Sequence, residues 1–556
     1  MRLLILSLWR QLLLLLLGFS GTLGSVAQTT APTWTWTQGL HGPGNEVIQA
    51  VASDAAGNLY AVGSFEQTAL VGGVSLTSRG EADAVIIKYD PAGTPVWIRH
   101  FGGAAFDRAD QVCLDGAGNV FVAGLVDGPA TFGGVTLTPR PNGTGFFVVK
   151  LDAQGTVRWG QLADSGNFTA SYGLQPDGAG GAYVAGVFTN GVRLGSVSLP
   201  DSIGGAILAR LDGQGTVQWV RQQAHRTLKV FTEFTGDGLA VAGGYVYACG
   251  SFGGRVTFSG TTLQAPNNVD AWLASYDAQG TLRWVRQGGS PTEYDVAHAV
   301  AADATGQVYV SGEFAGTATF GSLTLSAPGP ASDAFLLKVD AQGTALWARQ
   351  LGGSGPEVGY GVTLDGAGNV YQAGSYSTGT RVAGTLLPNQ GSLDAYLLSY
   401  TGQGAVRWGQ AAGGTGEDIA LAITAPDALG AIYVAGGFAS PNCRFGATTL
   451  VNGGPAVADV NDGFVARLSG MVAATRPGHA MSPLSFYPNP ATNQVHLRHL
   501  RAGSTIQLVD ATGRLLREAT ATATMTLSVQ DLPPGLYLLR ATNAQGQPCR
   551  GQVMVQ

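Results

Sequence analysis

A chain of 556 residues that is 45% hydrophobic and 12% charged has ample apolar surface for one large or several smaller cores, which excludes a disordered polypeptide. Its 84 glycines stand well above the usual share of about 7%, and its charged fraction well below the usual ~25%; this turn-rich, weakly charged profile points to an all-β protein. The formal charge of -6 and only four lysines (Lys88, Lys150, Lys229, Lys338) leave no basic stripe for phosphates, so nucleic acid is not an expected partner.

In chain order, the first feature is a charged start (Arg2, Arg10), a short apolar run from Leu12 to Leu17, and the small residues Gly24-Ser25-Val26-Ala27. This order describes a secretory signal peptide over residues 1–27, cleaved after Ala27. An uncleaved anchor is the alternative, although Leu3 to Phe19 falls short of the ~20 residues that span a bilayer. No later segment approaches a spanning length, so no membrane span is expected in the mature chain. Cys113, Cys249, Cys443 and Cys549 are widely separated, with no C-x-x-C pair, which argues against both a disulfide scaffold and a tetrahedral zinc site.

Between residues 28 and 468 one pattern recurs seven times. It is clearest from Ala302 to Arg349: a D-A-x-G turn, then V-Y-V-S-G-E-F, T-F-G-S-L-T-L, D-A-F-L-L-K-V-D, A-Q-G-T and L-W-A-R. Its central glycine returns about every 62 residues, as Gly63, Gly124, Gly186, Gly250, Gly312, Gly374 and Gly436. A second column is structural tryptophan: Trp36, Trp97, Trp159, Trp219, Trp284, Trp347 and Trp408. The short apolar runs, rich in Val, Tyr, Phe and Leu, are separated by clusters such as Asp115 to Asn119 and Asp152 to Gly155, which read as tight hairpins between strands. Four main strands per unit, A to D, with a ribbon between B and C, predict a propeller blade. The last unit runs through Asp462 to Leu468 and stops before any Trp strand, whereas the chain begins with an orphan one, Trp34 to Gln38. The N-terminal strand is therefore expected to complete the last blade, closing a seven-bladed β-propeller and removing its exposed edges.

The run V-x-x-D-x-x-G-N-V-Y-V-A-G followed by D-A-F-L-L-K-x-D-x-x-G-x-x-x-W resembles the bacterial SBBP β-propeller repeat, over Trp34 to Leu468. That resemblance implies the fold and leaves activity open, because propellers host many functions. A small-residue linker, 469–483, leads to a module at 484–556 whose alternating strands (Gln494 to Arg498, Thr505 to Val509, Thr526 to Val529, Gly535 to Arg540) predict a small β-sandwich. Its motifs F-Y-P-N-P (Phe486 to Pro490), D-A-T-G-R (Asp510 to Arg514), L-P-P-G-L-Y (Leu532 to Tyr537) and the terminal G-Q-V-M-V-Q resemble the type A sorting domain of the type IX secretion system, without the lysine that many such domains carry at the end. This resemblance implies the type IX machinery as a partner, export through the periplasm and outer membrane, and a secreted or cell-surface protein. An ordinary appended binding sandwich is the alternative.

No G-x-S-x-G, H-E-x-x-H or P-loop motif is present, and no catalytic or cofactor-binding residue is assigned. The histidines show no metal pairing in the repeat region; His100 shares a column with Gln222, Gln287 and Gln350 and reads as a surface-strand residue. Asp459 to Gly463 is one residue short of a calcium loop. One polar column does stand out, seventeen residues ahead of each repeat glycine: Glu46, Asp107, Thr169, Glu233, Asp295, Glu357 and Ile419, with Asp418 adjacent to the last. As a ring at one mouth these carboxylates would attract calcium or a basic ligand. The preferred reading is that each accepts backbone N–H bonds and orders its own inter-unit turn. The lead into the fourth unit, Gln222 to Val230, breaks the repeat and reads as loop drift. The expected function is a non-enzymatic binding or adhesion scaffold for a glycan, matrix or protein ligand. The alternatives are an extracellular hydrolase or lyase acting on polysaccharide, for which the nearest residue set is Glu293, Tyr294, Asp295 and His298, and a surface-layer component without a discrete ligand.

Overall fold

The computed structural model describes residues 32–555, apart from 142, 166, 200–203, 227–233, 383–384, 428–429, 455–460, 470–481, 484, 499, 501–502, 504, 510–514, 523, 534 and 543–547. The expected signal peptide, Glu233, most of the linker and the D-A-T-G-R motif thus lie outside the described residues. All regular elements among the described residues are strands, with no helix, so the chain is all-β.

The first unit is an antiparallel sheet of Val47–Ser53, Leu59–Val71, Val74–Tyr89 and Pro95–Phe101, in that spatial order. The order returns in each following unit. Middle strands are mostly apolar because neighbouring units cover both faces; Val120–Val126 and Gly145–Leu151 are buried throughout, the latter including Lys150, which pairs with Asp115 at 3.4 Å. The A–B hairpins are set by an aspartate that replaces missing backbone partners. In the second unit Asp115 Oδ1 accepts from the N–H groups of Ala117 and Asn119, both at 2.9 Å, while Gly118 supplies φ 81°. The B–C ribbon of one unit pairs back onto the D strand of the unit before it, as Val192–Leu194 does on Val157–Ser165 and Thr317–Phe320 on Leu282–Gly289.

The last unit contains Asp418–Ile423, Ile432–Phe438 and Asp462–Ser469, and its fourth strand is Thr33–Leu40 from the other end of the chain. The pairing runs from Thr33 opposite Ser469 to Leu40 opposite Gly463. The innermost strand of the first unit contacts both Asp107–Leu114 of the second and Asp418–Ile423 of the last. The C-terminal module stacks a sheet of Ser485–Tyr487, Gln494–Arg498 and Thr524–Ser528 on one of Ser482–Pro483, Thr505–Val509, Leu515–Thr520, Gly535–Thr542 and Pro548–Val555. Val495, Leu497, Leu508, Leu539 and Val553 form its separate core.

Candidate functional site

Three columns of residues recur at the junctions between units, and they differ in how much their chemistry varies. The outermost is the tryptophan column. Four indole N–H groups reach across to a backbone carbonyl in the next unit's C–D hairpin: Trp97 to Ala153 at 3.1 Å, Trp159 to Gly213 at 3.0 Å, Trp284 to Ala341 at 3.0 Å and Trp347 to Gly402 at 3.2 Å. The ring lies on that hairpin's glycine, so closely that a Cβ on Gly155 would sit 3.1 Å from the Trp97 ring. Arg99, Arg286 and Arg349 add an Nε–H bond to the same hairpins. Trp36, on the N-terminal strand, makes the same bond to Pro91 of the first unit at 3.1 Å. Trp408 faces the split unit, whose C strand continues into no C–D hairpin, and its buried indole N–H has no partner. Trp219 lies over Gly280.

The second column is the acidic one. The structure places each described member at its own junction, facing the repeat aspartate of the preceding unit: Asp107 with Asp83, Asp295 with Asp270, Glu357 with Asp333, and Glu46 with Asp462. In the last unit Asp418, and not Ile419, takes this place against Asp394. All ten carboxylates are buried. Asp107 accepts the Gly103 N–H at 2.7 Å, Asp295 the Ser290 N–H at 2.6 Å, and Asp418 the Gly414 N–H at 2.7 Å. Glu357 instead takes hydroxyl bonds from Ser377 and Thr380, at 2.9 and 2.6 Å. Both Glu46 oxygens lack a hydrogen-bond partner. At the second-to-third junction the pair is lost together, with Gly145 and Thr169 in the two positions.

Burial, and then the facing carboxylate, pushes Glu46 up to about 8. Burial likewise raises Asp107 to about 7 and Asp295, Asp333 and Asp394 to about 6. One carboxyl of a pair therefore keeps its proton where a free acid would lose it. The repeat aspartate is served by the column that contains His100. His100 Nδ1 lies 3.0 Å from Asp83, and the Gln287 and Gln350 amides donate to Asp270 and Asp333. His100 is thus a half-buried partner of Asp83 and not the plain surface-strand residue the sequence suggests. At the split unit His41 folds over Gly39 to reach Asp462 at 2.7 Å. Among the described residues no three His, Cys, Asp or Glu side chains are grouped so as to hold a metal ion.

The third column was invisible to the sequence reading. Each innermost strand carries one residue skipped in the pairing with its neighbour, a β-bulge, the device by which strands re-aim a side chain. The seven positions hold Gln49, Asp110, Tyr172, Asp237, His298, Tyr360 and Leu421. The backbone device repeats while the residue type does not. Two polar clusters result. Asp110 pairs with Arg108 at 2.8 Å, and burial still raises it to about 6. His298 Nε2 lies 3.3 Å from Glu313 and its ring 5.2 Å from that of Tyr360. Burial alone would raise Glu313, but hydrogen bonds from His298 and Ser332 hold it below the ordinary value, and burial pushes the Tyr360 phenol to about 12. Glu293 and Tyr294 are exposed and Asp295 is buried at its junction, so the structure does not bring that set together with His298.

A sequence model of the secretion system C-terminal sorting domain matches residues 485–555, and one of the SBBP beta-propeller repeat matches 346–375. The chain therefore carries a propeller repeat and a type IX sorting domain. The latter marks it for export by the type IX system to the cell surface or beyond, and implies contact with that machinery. No curated protein matches the chain. Solved structures similar to it include the Pan2 WD40 domain of Neurospora crassa (11% identity, 59% of this chain and 86% of that one, TM-score 0.27). Another is PorZ, a surface component of the type IX system of Porphyromonas gingivalis (12% identity, 94% and 100%, TM-score 0.16). A third is the exotype rhamnogalacturonan lyase YesX (10% identity, 93% and 91%, TM-score 0.24). Scores of this size bear on neither ring closure nor function.

Proposed function

We propose that residues 28–468 form a closed seven-bladed β-propeller, exported after loss of residues 1–27, that binds an extracellular ligand at its axis without transforming it. Closure is supported by the cyclic contacts of the innermost strands and by the N-terminal strand's place in the last unit. The observation that carries the binding reading is the bulge column of the innermost strands, where Gln, Asp, Tyr, His and Leu replace one another around the axis; the outermost strands carry a bulge in each unit too, at residues such as Val96, Arg158 and Leu346 that lie exposed on the periphery. Side chains that only held the ring would repeat, as the tryptophans do. Tyr rings offer an apolar face with a polar tip, and the Asp110 and His298–Glu313 pairs offer acceptors and donors, a combination suited to a glycan. A glycan array probed with the mature propeller tests this. Binding that is lost in the double variant His298→Ala, Tyr360→Phe at unchanged melting temperature supports the reading, and an empty array removes it.

The second reading, an enzyme acting on polysaccharide, has the ionised Glu313 beside His298 and Tyr360 in its favour. Release of reducing ends or unsaturated products from a polysaccharide panel, abolished by Glu313→Gln, would establish it.

A further inference from the structure

The core between the first and second units and the core between the fourth and fifth match residue for residue. Ala84, Ile86, Ala109, Val112, Val122, Phe132 and Phe147 of the former correspond to Ala271, Leu273, Ala297, Val300, Val310, Phe320 and Phe335 of the latter. Volume is lost where Phe101 becomes Gly288, Val157 becomes Ala345 and Leu151 becomes Val339. In the first junction Phe101 is buried, 5.3 Å from the Phe132 ring, which in turn stands 4.5 Å from Phe147. In the other, the Phe320–Phe335 pair stands at 4.8 Å and the Phe320 ring lies directly on Gly288, where a Cβ would collide with it. A cavity of about 350 Å³ opens there, with Gly288 and Ala345 both in its wall.

Its inner lining is apolar, including Leu273, Val310, Phe335 and Leu337, while Arg286, Ser322 and Thr344 at the mouth are exposed. The volume falls within the range of small-molecule sites, about 300–1,000 Å³. Apolar cavities of even about 150 Å³ stay dry and take up benzene-sized guests. Arg286 uses three of its five N–H groups on the carbonyls of Val285, Gln342 and Gly343, which leaves two for a substituent on a guest.

We infer that this cavity binds a small molecule bearing one aromatic ring, the ring packed against Leu273, Val310, Phe335 and Leu337. The site is peripheral to the axial column and independent of it. The test uses p-cresol as the probe, titrated calorimetrically into the mature chain, with ligand-observed NMR as a second readout. One equivalent should bind. Leu273→Phe combined with Ala345→Val, which narrows the cavity, should weaken binding by about tenfold or more. Ala345→Val alone keeps the test valid if the double variant fails to fold. The converse variant, Phe101→Gly with Val157→Ala, should bind a second equivalent. No binding to the wild type at millimolar p-cresol, or binding undiminished in the filled variants, would overturn the site.

Discussion

The tryptophan column of the outer strands and the bulge column of the inner strands obey opposite rules. At the tryptophans the geometry and the residue both repeat: an indole N–H on a carbonyl and a ring on a glycine, with an arginine two residues on in four of the seven units. At the inner edge the geometry repeats but the residue changes. Repetition of a side chain together with its contact marks work that every junction needs, which is cohesion. On the binding reading proposed above, the inner bulges, which present a different side chain each time around the axis, form a surface shaped for something outside the chain. The split unit sharpens the contrast, because there the outer latch loses its receiving hairpin and Trp408 is left without a partner.

The largest expected effect comes from removing the strand that links the two ends. Deleting Thr33–Leu40 exposes the edge of Asp462–Ser469 and removes Trp36 from the first unit, which should cost on the order of 5 kcal/mol and cause aggregation, read by calorimetry and light scattering. Next is the effect of pH. Glu46 holds its proton up to about 8 when folded, against an ordinary 4.5, so between these values the native state binds more protons than the unfolded one. Its contribution is fully present below pH 4.5 and lost as pH rises through 8. Stability should fall across that window by several kcal/mol, about 1.4 kcal/mol per pH unit, and Glu46→Gln should flatten the profile and raise stability at pH 8.

A smaller effect separates two members of the latch. Trp97→Phe removes a hydrogen bond and should cost about 1 kcal/mol beyond the change in ring size, whereas Trp408→Phe removes none and should cost measurably less in urea titrations. The smallest is expected at the inner edge: His298→Ala and Tyr360→Phe should each change stability by about 0.5 kcal/mol or less. A large loss at either would mean the bulge column is structural after all.

The sequence makes the strands, hairpins and units legible because Gly and Asp turns punctuate apolar runs at a constant spacing. The orphan strand at Trp34 to Gln38 even announces the split unit. Glu46 and Asp107 stand out as a column, but their partners Asp462 and Asp83 belong to a different strand and, for Glu46, to the opposite end of the chain; only the sheet order brings them face to face. The bulge residues escape for a different reason. A strand read with period two cannot show that one residue has been inserted, and Gln49, Tyr172 and His298 share no chemistry that would align them as a column. Gly288 is equally silent, one glycine among 84, until the sheet pairing lays the Phe320 ring directly on it.

Ring closure by the N-terminal strand is tested most directly by a cross-link. Thr37 lies opposite Ala466 in the antiparallel pair, so cysteines at both positions, Thr37→Cys with Ala466→Cys, stand within reach of a disulfide. Oxidation should join the peptide containing residue 37 to that containing residue 466 within one chain, as read by mass spectrometry, and leave the protein monomeric with a raised melting temperature. Absence of that cross-link, or its formation only between chains, would contradict closure.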